Sequence, residues 1–103
     1  RLMVAVGPGP FSERLIRWTR RMAYNLEAPW LAVFVEASKP LSDEARLMVS
    51  RHFDLARSLG AEIDTIAGDD VPDALLQLAR RRNVTQTVIG KPLRKRRNWR
   101  LQP

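Results

Sequence analysis

The chain has 103 residues, 45% of them hydrophobic and none of them cysteine, and carries a formal net charge of +7. That length suits one domain with a single core, and the apolar fraction is too high for a disordered chain. The missing cysteines exclude disulfides, thiolate catalysis and cysteine-bound zinc, and no apolar run reaches the roughly 18 residues that a membrane span requires. Only five apolar residues follow Arg1 and no cleavage site appears, so no signal peptide is expected, and the absence of cysteine suits a reducing compartment.

In chain order, Leu2 to Val6 is a short apolar run that stops at Gly7-Pro8-Gly9-Pro10, as expected for a strand buried on both faces. Phe11, Leu15, Trp18, Met22 and Leu26 then recur at helical spacing, with Arg14, Arg17, Arg20 and Arg21 off that stripe, so Trp18 reads as core. Pro29 breaks this helix, and Trp30 to Val35 reads as a second buried strand. Ser42 is a good N-cap for a second helix, with Asp43 and Glu44 where the helix dipole favours acids. Met48, Val49, Phe53, Ala56 and Leu59 form its stripe, and Gly60 ends it. Ile63 and Ile66 mark a weaker third strand. Asp70 caps a third helix with Pro72 in its first turn, along which Val71, Ala74, Leu75, Leu78 and Ala79 recur, and Val84 to Ile89 is a fourth strand ended by Gly90. Strands alternating with helices predict an open parallel α/β sheet, because parallel neighbours need helical crossovers.

The charge is concentrated beyond that body. Lys91, Arg94, Lys95, Arg96, Arg97 and Arg100 follow Gly90 with no acid among them, and the rest of the chain carries 12 basic and 11 acidic residues. A near-neutral body with a basic C-terminal segment, 91–103, does not read as a specific nucleic-acid surface. The segment has three readings: solvated charge, an anion or nucleotide clamp, or a strip (Lys95, Arg96, Arg97, Arg100) that docks an acidic partner or membrane surface. It stops in mid-pattern at Pro103, so residues 1–103 are expected to be a single domain cut from a longer protein.

In an open parallel sheet, ligands bind beyond the carboxyl ends of the strands where strand order reverses. That places a candidate site at Gly7 and Gly9, which feed a helix N-terminus, and at Gly90, with Lys91 and Arg94 adding charge to the mouth. Neither a P-loop nor a complete GxGxxG is present, and Pro8 and Pro10 lack the N–H groups a phosphate would use. Trp30, Ala32 and Phe34 alternate onto one face of the second strand, either as core or as a slot for a base. His52 is the only histidine and stands in the second helix without the companions of a zinc site or a catalytic triad, so it reads as a partly buried structural residue. Asp69 and Asp70 read as loop and cap, so no metal site is expected.

Four segments carry a family resemblance: the run from Val4 to Ala23 (VAVGPGPFSERLIRWTRRMA), Ala28-Pro29-Trp30, Leu59-Gly60-Ala61-Glu62, and Val88-Ile89-Gly90-Lys91-Pro92. On these residues the chain resembles the universal stress protein domain, and more narrowly the one embedded in potassium-sensing histidine kinases. The resemblance implies a Rossmann-like, three-layer fold with strand order 3-2-1-4, helices on both faces and a fifth strand beyond Pro103. Nucleotide-binding members place an aspartate where Gly7 stands and a second glycine where Leu93 stands. Members described as binding cyclic di-adenosine monophosphate place serines at Gly7 and Gly9 and a Phe-Thr-Ala-x-Tyr segment at Trp30 to Phe34, of which Ala32 matches. The resemblance therefore implies a cytoplasmic, non-catalytic input domain of a two-component, potassium-responsive sensor kinase, acting by protein docking or by sensing a small anionic ligand, without a resident cofactor. Its partners would be the other domains of the kinase, a free-standing universal stress protein, or a second copy in a homodimer. The alternative it offers is a universal stress protein that binds ATP or a cyclic dinucleotide.

Overall fold

A computed structural model describes residues 1–90. Its elements are β1 (Leu2–Ala5), α1 (Phe11–Leu26), β2 (Trp30–Glu36), α2 (Asp43–Ser58), β3 (Glu62–Ala67), α3 (Val71–Arg81) and β4 (Gln86–Val88). The four strands form one parallel sheet in the order β3-β2-β1-β4. Both the alternation and the order match the expectation. The anticipated basic segment lies outside the described residues.

The sheet separates two cores. Leu2, Val4, Val6, Trp30, Ala32 and Val88 face α1 and α2, where they meet Ile16, Ala23 and Ala56. Met3, Leu31 and Val33 face the other way, against Leu75 and Leu78 of α3. Strands β1 and β2 are nearly all apolar because each is covered on both faces. Strand β3 is an edge strand, and its acids are tied down: Arg82, just past α3, reaches Glu62 at 2.6 Å and Asp64 at 3.3 Å.

The caps follow the sequence. Ser42 Oγ accepts from the Ala45 N–H at 3.1 Å, Asp70 accepts from the Asp73 N–H at 3.1 Å, and Gly60 leaves α2 with φ of 101°. Helix α1 ends differently. Glu27, with no glycine to help, turns left-handed (φ 52°) and the chain closes through the Ala28 N–H on the Ala23 carbonyl. Strand β4 is shorter than the Val84–Ile89 run suggests, because the Val84 N–H is taken by the Ala79 carbonyl at the end of α3.

Helix α1 corrects one expectation. Its buried face is Ser12, Ile16, Thr19 and Ala23, whereas Trp18 is 52% exposed and Phe11 64% exposed. The stripe of large apolar residues is displaced by one residue, about 100° around the helix, from the face that packs on the sheet. Small side chains let α1 approach the strands closely. Their hydroxyls are satisfied internally, Thr19 Oγ1 donating to the Leu15 carbonyl at 2.7 Å and Ser12 Oγ to the Gly7 carbonyl at 2.9 Å.

Candidate functional site

The carboxyl ends of the strands gather three loops around the point where the chain reverses direction across the sheet, between β1 and β4. The loop after β1 is the most constrained. Ser12, in the first turn of α1, turns back so that its hydroxyl accepts from the Gly7 N–H at 2.9 Å and donates to the Gly7 carbonyl at 2.9 Å. His52 of α2, only 5% exposed, sets Nδ1 at 2.9 Å from the same carbonyl. A carbonyl only accepts, so Nδ1 carries the proton. Both polar atoms of the Gly7 peptide are thus held by the protein itself.

The start of α1 offers an anion little. Its cap residue is Pro10, which makes no side-chain cap bond, the Ser12 N–H is taken by the Gly9 carbonyl at 3.2 Å, and Glu13 places a negative charge in the first turn. Gly7 and Gly9 have negative φ, and a Cβ on either would meet no atom of the described residues within 4 Å. Gly90 is different. A Cβ there would lie 2.6 Å from Leu15 Cδ1, so the close approach it permits is to α1.

The aromatic slot is not assembled. Trp30 pairs with Leu2 at the amino end of the sheet and is 6% exposed, and Ala32 is buried with it. Phe34 alone reaches the carboxyl end, roughly 13 Å further along the strand. Beside it a cleft of about 180 Å³ opens against α2, lined by Phe34, Lys39, Pro40, Leu41, Arg46 and Val49 among others. Its walls are largely apolar, and Glu36 lines it together with the cations Lys39 and Arg46. Its volume is below the roughly 300 Å³ at which pockets for drug-sized ligands begin.

The loops after β2 and β3 are joined. Asp69 accepts from the Ser38 N–H at 2.8 Å and from the Ser38 hydroxyl at 3.1 Å, and these bonds hold its carboxyl below the usual range. Sequence reasoning placed Gly7, Gly9 and Gly90 at one end of the sheet, as the structure does, but grouped Phe34 with Trp30 and Ala32 by strand face alone. It missed Ser12 and treated His52 only as packing. Lys91, Arg94, Lys95, Arg96, Arg97 and Arg100 lie outside the described residues. Among the described residues no three acidic, histidine or cysteine side chains come together as a metal site, and no helix is long and apolar enough to cross a membrane.

Solved structures share this architecture. The universal stress protein of Archaeoglobus fulgidus superposes with a TM-score of 0.64 at 24% identity, over 86% of this chain and 74% of that one. A universal stress protein in complex with cAMP gives a TM-score of 0.60 at 18% identity, over 84% of this chain and 73% of that one. The fold is that of the universal stress proteins. No family model matches the chain.

Sequence relatives narrow the class. The chain is 43% identical over 96 residues to the sensor protein KdpD of Mycobacterium tuberculosis, and 33% identical over 101 residues to that of Escherichia coli. These matches cover 93% and 96% of the chain, which spans 11% of each relative's length. The chain has the universal stress protein fold and is homologous to one stretch of the KdpD sensor proteins.

Proposed function

We propose that this domain is a regulatory input module of a potassium-responsive sensor histidine kinase, cytoplasmic in its parent, and that it works by protein docking without chemistry of its own. One observation carries the reading: the Gly7 amide and carbonyl, which would face a ligand at the crevice, are already bonded to Ser12 and His52. A phosphate arriving there gains few free donors, since Pro8 and Pro10 have no N–H and the Ser12 amide is occupied. Phosphotransfer belongs to other parts of the parent. Other domains of that protein, a free-standing universal stress protein or a second copy are the partners this reading provides.

A second reading has two observations in its favour. No atom of the described residues lies within 4 Å of a Cβ built on Gly7 or Gly9, and a fold neighbour was solved with cAMP. Isothermal titration of the chain with ATP, cAMP and cyclic di-adenosine monophosphate separates the two. Docking predicts no saturable heat at millimolar ligand. Micromolar binding would replace it with nucleotide sensing through Gly7, Gly9, Phe34, Gly90, Lys91 and Arg94.

A further inference from the structure

We infer that the outward face of α1, built around Trp18, is the docking surface itself, and that it receives an acidic amphipathic helix of a partner protein; this rests on the docking reading above. Among the described residues, nothing packs over this face. Ser12, Ile16, Thr19 and Ala23 pack α1 on the sheet, while Phe11 and Trp18 stand in solvent. A shallow depression lies between Arg14, Leu15, Arg17, Trp18 and Arg21.

Charge selects the occupant. Helix α1 carries four arginines against one glutamate. Only Arg17 has an acid beside it, Glu13 at 3.3 Å, and no carboxylate of the described residues pairs with Arg14 or Arg21. Arg14 and Arg21 flank Trp18 about two helical turns apart, roughly 10 Å. Carboxylates at the same spacing on a partner helix would meet both forks, with an apolar residue between them on the indole and Leu15. All four cations are arginine, whose planar fork matches a carboxylate in two bonds, and arginine and tryptophan are the side chains that dominate protein interfaces. A depression floored by Leu15 and walled by an indole suits an inserted side chain better than a flat layer of lipid headgroups.

The test uses the 103-residue chain and a synthetic amphipathic helix, with leucines on one face and flanking glutamates at the two-turn spacing. Amide chemical shifts map the contact, and anisotropy of the labelled peptide gives the affinity. The expected result is shift changes confined to 11–26, with binding weakened roughly tenfold or more by Arg14→Glu/Arg21→Glu and also by Trp18→Ala. Thermal melts should show each variant as stable as the parent chain. Absence of binding at millimolar peptide overturns the inference, as does binding that these variants leave intact. Binding lost only when residues 91–100 are trimmed also overturns it, while leaving docking as the mode of action. Shifts in 11–26 caused by phosphatidylserine vesicles but not by the peptide would assign the face to a membrane and overturn it too. Saturable nucleotide binding that spares α1 would instead count against the docking reading itself.

Discussion

Ser12→Ala removes the hydroxyl that closes the β1–α1 loop, and the structure sets the size of the effect. Two hydrogen bonds of 2.9 Å are lost, each with a net value of about 0.5–1.5 kcal/mol. The Gly7 carbonyl keeps His52, but its N–H is left without a partner in a half-buried loop. A loss of about 2 kcal/mol follows, which lowers Tm by roughly 10 °C in a domain of this size. His52→Ala alone leaves the carbonyl bonded to Ser12. Only the double variant strips both atoms, so its cost should exceed the sum of the singles by about 1 kcal/mol. Urea unfolding gives the cycle, and hydrogen exchange at the Gly7 amide reports the loop directly. A Ser12→Ala cost under about 0.5 kcal/mol, or an additive double variant, would refute the clamp.

Three further outcomes follow from the packing. Ile16→Ala should cost about 2–5 kcal/mol because it opens the core, whereas Trp18→Ser should change stability by no more than about 0.5 kcal/mol, and denaturant midpoints distinguish the two faces of α1. Gly90→Ala should displace Leu15 and destabilise by about 1 kcal/mol, and Leu15→Ala combined with it should cost less than the two singles summed, as a double-mutant cycle would measure. Asp69 is held ionised by Ser38, so its folded pKa lies below its unfolded value near 3.9. The stabilisation is therefore complete above that unfolded value and lost as pH falls through the depressed one. In urea midpoints against pH, the gap between the parent chain and Asp69→Asn should be widest near neutrality and close on the acid side.

Much of the fold was legible because local signals agreed. Ser42 and Asp70 start their helices as side-chain caps, Gly60 ends α2, and the unbroken apolar runs of β1 and β2 require cover on both faces. The face of α1 was not legible. A stripe of large apolar residues competes with one of small, partly polar residues, and only the distance between helix and sheet decides between them. Ser12 and Thr19 look unsuited to a core until their hydroxyls are seen to bond the backbone. The candidate site was half legible. Gly7, Gly9 and Gly90 mark the loops, but the Ser12 and His52 bonds join residues 5 and 45 positions from Gly7, which periodicity does not report. Trp30 looked available because alternation gives the face of a strand and not its end. The register with Leu2 supplies that.

The most direct test of the account is the Gly7 amide resonance in a titration with ATP and with cyclic di-adenosine monophosphate. With Ser12 and His52 holding this peptide and the domain acting through its surface, that resonance stays in place and protected from exchange at millimolar nucleotide. A saturable shift of Gly7, with release of its amide to solvent, would mean that the loop opens for a ligand and that docking is not its primary work.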